Sequence, residues 1–479
     1  MKNILVLGAS GYIGSQLLGE LAKQGYNVTG AARNIDYLKA RTTPQPNINL
    51  VYLDLNNAEK TNQIVANFDL VFFLVHGMAQ GHDFLKYEVS LAENFKNALK
   101  NSNVKHVIYL SSLQPQTGHS QHLYARKLTG DIIRQANIPV IEIRAGIVIG
   151  PGSAAFEIMR DFCYNLPILI TPKWVDSQAN PIALKNLNYY LLKLVEVNPN
   201  KHHLYEVGGP DNLSYRKQFQ IINSVLNKPT KLISTRLLTP KLASYWLKWV
   251  TSVPTSIGKA LLAGIDHDFI ANTKSIHRLF PQTLVSYHDM VEDTISSEGT
   301  FLQSNVWGFE AEALRRWQPG FGYYAKHTGA TIDTQLSAEE LWKAVKTIGS
   351  QESGYFFADS LWRMREWLDV VVGGKIPTRR SPPKDNLQVG DYIDSWKVIR
   401  CESNRFLSLF FGMKGPGLGR LEFTINDLGD KRQLNVTARW HPKGFRGLLY
   451  WFTFMPAHIF IFKGMVKAIV KKARLLSVN

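Results

Sequence analysis

The chain has 479 residues, 45% hydrophobic and 19% charged, an ordinary globular balance with room for about three domains of typical size. Its 55 lysines and arginines against 38 aspartates and glutamates give a net charge of +17. Only two cysteines occur, Cys163 and Cys401, which excludes a disulfide framework or a cysteine metal site and points to a reducing, cytoplasmic compartment.

The first fourteen residues read MKNILVLGASGYIG. Ile4 to Leu7 form a short apolar run, the pattern of a strand buried on both faces of a parallel sheet. Gly8, Gly11 and Gly14 follow, and Leu17, Leu18 and Leu21 begin a helical pattern at once. A strand that turns through glycines into a helix aims backbone N–H groups and a positive helix end at one spot, which suits a pyrophosphate. Gly8 allows the tight turn, Gly11 the approach of the phosphate and Gly14 the packing of helix on strand, with Ser10, Tyr12 and Ile13 in the same loop and first turn. The apolar run is too short and too broken by glycine for a secretory leader, although Lys2 precedes it.

A second strand is predicted at Asn27 to Ala32, with Arg33 at its end. An acidic side chain there would bind a ribose 2′-hydroxyl, whereas an arginine fits a 2′-phosphate. The nearest acid, Asp36, comes three residues later, so NADP is the expected cofactor and NAD the alternative. Further strands are predicted at Leu50 to Leu53, ending at Asp54-Leu55; at Leu70 to Leu74, ending at His76-Gly77; at Val107 to Leu110, ending at Ser111-Ser112; and at Val140 to Ile143. Helices are predicted at His82 to Asn101 and Gln121 to Gln135. The alternation predicts an α/β doubly wound parallel sheet that binds ligands beyond the C-terminal strand ends, where Gly8, Arg33, Asp54, His76 and Ser111 fall.

The glycine spacing, Leu53-Asp54-Leu55, the Tyr109-Leu110-Ser111-Ser112 strand end and the stretch Arg144 to Gly152 resemble the extended and atypical short-chain dehydrogenase/reductases. Among these the chain is most similar to the NmrA-like branch, which includes relatives of the complex I 39 kDa subunit. The resemblance implies a Rossmann-type domain over residues 1–150, a substrate-covering subdomain over 151–330, an adenine contact at Asp54, and Leu55 and His76 among the cofactor contacts. It also implies a catalytic serine, here Ser111 or Ser112, and a Tyr-x-x-x-Lys pair on the next helix in which the tyrosine is the acid or base. The sequence offers Tyr124 and Lys127, spaced by three rather than four, which displaces the lysine by about 100° around the helix. The implied activity is an NADP-dependent oxidoreductase acting on a small apolar carbonyl or quinone-like compound. The degenerate signature keeps open a non-catalytic NADP-binding redox sensor or complex-assembly factor.

In the middle segment, Asn180 to Ala183 and Leu204 to Val207 read as short strands, Gly208-Gly209-Pro210 as a turn, and Ser214 as the cap of a helix to Leu226. Leu242, Tyr245, Trp246, Trp249 and Val250 have helical spacing and read as plain core before cleft lining. His119 with His122, and His202 with His203, lack a third ligand at metal spacing, so no metal site is expected.

A third domain, 331–479, is predicted from Thr331. Ile332 to Leu336 reads as a strand, Ser337 to Glu340 as a capping box, and Leu341, Val345 and Ile348 as one apolar helix face. After a loop around Pro377 to Asp385, strands are expected at Tyr392 to Arg400, Phe406 to Gly412, Arg420 to Ile425 and Gln433 to Trp440, joined by turns at Lys414 to Gly419 and Leu428 to Asp430. The chain ends in a helix with Phe462, Met465, Val466, Ile469, Val470 and Ala473 on one face and Lys463, Lys467, Lys471 and Arg474 on another. This order resembles the START-like, helix-grip α+β domains, and the combination resembles bacterial NAD(P)-binding proteins of unassigned function. The resemblance implies an apolar ligand for this domain. Leu448 to Phe462 is very apolar, but its 15 residues fall short of the ~20 a span needs. From Lys431 onward there are ten basic residues and no acidic one, which suggests peripheral contact with an anionic membrane, or a protein complex partner, and no nucleic acid.

Overall fold

The structure, a computed structural model, describes residues 2–35, 38–39, 42–77, 84–115, 120–235, 247–251, 253, 255–262, 265, 267–303, 326–371, 387–393, 396–411 and 415–478. Expectations that fall on Asp36, His82, His119, Leu242, Tyr245, Trp246, the loop 377–385 and Lys414 lie outside these residues. The chain divides into two compact units, Met1–Cys163 with Pro167–Gly299, and Tyr164–Leu166 with Thr300–Asn479.

The first unit is built on β1 (Asn3–Leu7), α1 (Tyr12–Lys23), β2 (Asn27–Ala32), β3 (Ile48–Tyr52), α2 (Ala58–Val65), β4 (Leu70–Phe73), α3 (Phe84–Leu99), β5 (His106–Ser112), α4 (Gln121–Ile133), β6 (Val140–Ala145) and β7 (His203–Val207). The strands form one parallel sheet in the order β7-β6-β5-β4-β1-β2-β3, a Rossmann-like α/β fold. Ile4, Leu5 and Val6 are fully buried, as a strand covered on both faces requires. Leu17, Leu18 and Leu21 of α1 pack on one face of the sheet, and Phe95 and Leu99 of α3 with Ile132 and Ile133 of α4 pack on the other. The sequence order reverses between β1 and β4, and this switch point opens a crevice at their C-terminal ends.

The seventh strand lies beyond residue 150, in the stretch expected to cover substrate. It pairs with β6, Leu204 opposite Glu142 and Tyr205 opposite Ile143. Without it, β6 would be an edge with unpaired N–H and C=O groups, a position that native sheets cover. Ser214 caps the helix Tyr215–Val225 as expected, its Oγ accepting from the Lys217 N–H at 3.2 Å. Trp249 is exposed and Val250 buried.

The second unit contains β8 (Lys326–Thr334), α5 (Ala338–Val345), α6 (Asp359–Val371), β9 (Tyr392–Ile393), β10 (Trp396–Glu402), β11 (Phe406–Phe411), β12 (Gly417–Asp427), β13 (Arg432–Pro442) and α7 (Gly444–Val478). Its sheet is antiparallel in the order β8-β13-β12-β11-β10-β9, a meander closed on one side by the first strand, with Ile332 opposite Leu434. β8 starts at Lys326, six residues before the predicted Ile332. The capping box at Ser337 and Glu340 is formed with both reciprocal bonds, a device worth about 1 kcal/mol.

The apolar stretch Leu448 to Phe462 is not a separate 15-residue segment. It is part of α7, a continuous 35-residue helix with Pro456 inside it. By length and composition alone α7 could cross a membrane; one third of its most apolar window is buried within the protein. Phe462, Met465, Val466, Ile469, Val470 and Ala473 form the predicted buried face, with Lys463, Lys467, Lys471 and Arg474 exposed. A proline inside a helix costs about 3 kcal/mol. Burying Leu448 and Trp451 before it and Ile461 and Phe462 after it returns roughly 1.5–3 kcal/mol per side chain, so the helix runs on.

Candidate functional site

A crevice at the switch point is lined by Gly8, Ser10, Gly11, Arg33, Asp54, Leu55 and His76, seven of the ten residues expected to contact cofactor. Gly8 has φ +83°, and a Cβ there would sit 3.0 Å from the Leu74 backbone, so glycine is required by conformation and by space. Gly11 is the N-cap of α1 in extended conformation, with no side-chain cap. The first backbone amides of α1 therefore face the crevice side without a competing side-chain acceptor at the cap. A Cβ on Gly14 would lie 2.5 Å from Gly8 O, which makes Gly14 a packing residue and not a lining one. Ile13 packs against the core, and Tyr12 abuts Gly150, so neither side chain lines the crevice.

Arg33 stands at the end of β2 as expected. Its Nη1 donates to Tyr87 Oη at 2.7 Å, and its guanidinium lies 5.7 Å from the Tyr87 ring centroid. Asp54 Oδ1 accepts from the Asn56 backbone N–H and side chain, both at 3.0 Å, which fixes the turn after β3. Asn94 donates to Leu55 O at 2.8 Å and ties the same turn to α3.

The crevice reaches the end of β4 at Leu74, Val75 and His76, and β5 is the next strand in the sheet. Ser111 is buried at the end of β5, and Ser112 is partly exposed next to it. The His76 ring opens onto the crevice while protein crowds it from other sides. That crowding, then the Arg126 guanidinium and His122, pushes its pKa down to about 3 and keeps the ring neutral. Glu88 is buried and accepts from the Gly77 N–H at 2.7 Å; burial pushes its pKa up against the pull of Arg126 and this hydrogen bond.

Helix α4 carries the expected catalytic pair on its exposed side. Ser120 caps it, its Oγ accepting from the Leu123 N–H at 3.3 Å. Tyr124 is 46% exposed and Lys127 is exposed too, so both stand on the solvent side of the helix. The buried face carries His122 and Arg126, at 8% and 9% exposure. They are four residues apart, the spacing the signature demands, and this was the signal in the sequence that Tyr124 masked. Burial, then the neighbouring Arg126, pushes the His122 pKa down to about 3. Tyr87 and Glu88 on α3 also went unread, because nothing local marks an inward tyrosine or a buried glutamate.

The second unit has its own cavity, between the inner face of the sheet and the first half of α7. Trp362, Trp396, Trp440, Tyr450, Trp451 and Phe454 give it apolar walls. Arg420 and Arg439 line it as well and share Glu422, at 3.4 and 2.7 Å. Burial pushes the pKa of His458, also in the wall, down to about 4. Among the described residues, His288, Asp289 and Glu292 bring ligand atoms within 4.8 Å of one another on an exposed helix face; His288 pairs with the two carboxylates at 3.5 and 3.9 Å.

Residues 8–137 match a family model described as NAD(P)H-binding, and residues 322–465 match one described as a protein of unknown function, DUF2867. No curated protein matches the chain. Among solved structures, the enzyme WbmG of Bordetella bronchiseptica in complex with NAD has a TM-score of 0.50 and 12% identity, covering 62% of this chain and 94% of its own. A nucleoside-diphosphate-sugar epimerase from Staphylococcus aureus scores 0.49 at 14% identity, over 60% of this chain and 99% of its own. At such identities the likeness to WbmG is one of fold, a Rossmann-like parallel sheet flanked by helices.

Proposed function

We propose that this chain is an NADP-dependent oxidoreductase that acts on a small apolar carbonyl or quinone-like compound. The observation that carries the reading is the glycine cradle: β1 delivers Gly8 and Gly11 to the uncapped start of α1 at the sheet's switch point. The residues fit a dinucleotide. The amides following Gly8 receive the diphosphate, Asp54 and Leu55 flank the adenine, and Arg33, a fixed cation at the crevice mouth, favours the 2′-phosphate of NADP over the bare ribose of NAD. NADP, when bound, supplies the hydride chemistry. Ser111 or Ser112 is the hydroxyl at the strand end that the family resemblance assigns to the substrate oxygen.

A second reading has an observation of its own. Tyr124 and Lys127 stand on the exposed side of α4, which favours a protein that holds NADP without turnover, as a redox sensor or complex-assembly factor. Calorimetry with both dinucleotides, followed by NADPH oxidation across a panel of carbonyls and quinones, tests the two. The first reading expects NADP to bind at least tenfold tighter than NAD, and turnover with at least one compound that Tyr124→Phe leaves unchanged. Tight binding with no turnover favours the second. Equal or absent binding of the two dinucleotides removes the assignment to NADP.

For the second unit we propose the role that the START-like resemblance implies, binding of an apolar ligand in the cavity beside α7. Its walls are aromatic and its floor carries an ion-paired cluster that can orient one polar end. The uncharged probe N-phenyl-1-naphthylamine should fluoresce with the full-length protein. Ala457→Phe, which fills the cavity from α7, should abolish most of the signal while leaving the unfolding temperature within a few degrees. A signal unchanged by this substitution removes the cavity as the site.

A further inference from the structure

We infer that His122 and Arg126 are the residues of α4 that hold the nicotinamide end of the dinucleotide, in place of Tyr124 and Lys127. The inference rests on the dinucleotide reading above and assigns its polar contacts. Residues four apart on a helix differ by roughly 40° in direction, whereas Tyr124 points roughly 200° away from His122. Only the His122–Arg126 side therefore turns toward the sheet.

The Arg126 guanidinium lies between the ends of β4 and β5. Its Nη1 reaches Val75 O and Leu110 O, each at 3.5 Å, the outer limit of a hydrogen bond. Val75 also lines the nucleotide crevice, and Leu110 precedes Ser111. Tyr109 Oη donates to Arg126 O at 2.8 Å and pins this turn of α4 over β5. Among the described residues, Arg126 Nε and His122 Nδ1 are buried without a hydrogen-bond partner. Apart from the electrostatic attraction of the buried Glu88, the cation has few acceptors, and a cation so placed destabilises the protein that carries it. Such a group fits a site whose ligand completes its shell. The ligand groups that match are the ribose hydroxyls and the carboxamide oxygen at the nicotinamide end, which accept from a guanidinium and exchange hydrogen bonds with a neutral imidazole. The role inferred for the pair is to bind and orient the nicotinamide end.

A binding role and a structural role predict opposite signs, and the full-length protein reports both. Arg126→Met should leave the nucleotide-free unfolding temperature unchanged or raise it, weaken NADPH at least tenfold in calorimetry, and erase most of the NADPH-induced rise in unfolding temperature. Arg126→Lys should recover part of the affinity. Tyr124→Phe and Lys127→Met should leave affinity within twofold of wild type. A nucleotide-free protein made less stable by Arg126→Met with NADPH affinity intact would mark a structural arginine and overturn the inference, as would a tenfold loss of affinity in Tyr124→Phe or Lys127→Met. If the unmodified protein binds neither dinucleotide, the dinucleotide reading itself fails, which is a different result from a variant that binds as well as wild type.

Discussion

Gly11→Asp abolishes NADP binding and leaves the fold intact: affinity falls at least a hundredfold while the unfolding temperature of the nucleotide-free protein holds or rises. Gly11 has φ −68° and ψ 168°, the extended geometry of an N-cap, and carries no capping side chain. Aspartate is among the best N-caps, and its advantage over glycine there is about a few tenths of a kcal/mol. A Cβ here meets Gly8 O at 3.1 Å, a tight contact that a shift of a few tenths of an ångström relieves. The new carboxylate takes the amide donors that a diphosphate needs and sets a negative charge against it. Gly14→Val is the contrasting case. Its Cβ would lie 2.5 Å from Gly8 O and 2.9 Å from Ala9 Cα, both backbone, so stability and binding fall together. Calorimetry with NADP and thermal unfolding without it separate the two. Undiminished affinity in Gly11→Asp would show that the ligand does not rest on the start of α1.

The contrast between the two glycines shows why the cradle was legible in sequence and the rest of the site was not. A bend from strand to helix needs glycine at fixed positions, and that need is local, so Gly8, Gly11 and Gly14 announce it in seven residues. Arg33, Asp54 and His76 were found because a parallel sheet puts every strand's C-terminal end on one side. The sense of α4 was a harder matter. Tyr124 and Lys127 carry the residue types of the signature, and His122 and Arg126 carry its spacing. Which pair faces the sheet depends on the helix phase set by Leu123, Ala125 and Thr129, buried with His122 and Arg126 around most of the helix. Hydrophobic periodicity is weak in such a helix, and packing against β5 decides. The seventh strand was legible as a strand, but its partner was not, because β6 and β7 lie some sixty residues apart in sequence. In the second unit, the alternating runs gave the meander directly. The unbroken course of α7 through Pro456 depended on the apolar side chains buried on both sides of the proline.

The helix phase is secured from the other end by Glu142, and its removal should be the most destabilising single change in the first unit. Glu142 sits in the middle of β6 with no exposed surface. It binds Arg134, at the C-terminal end of α4, and accepts from Arg144 Nε at 2.7 Å. Arg134 also reaches back to Asp131 on α4, at 2.5 Å. Glu142→Ala leaves two largely buried guanidinium groups facing an empty site. Removing one member of a buried ion pair costs roughly 3–5 kcal/mol. Taking 2–4 °C per kcal/mol, the unfolding temperature should drop by roughly 6–12 °C at the lower figure. Replacing all three by apolar residues, Arg134→Met with Glu142→Leu and Arg144→Met, should recover most of that loss, because buried ion pairs seldom outperform packed hydrocarbon. Glu142→Ala should also weaken NADPH, since α4 then loses the anchor that holds its His122–Arg126 face against the sheet. A drop below about 2 °C would mean that the two arginines find water on their own, and that Glu142 neither fixes α4 nor bears on the crevice.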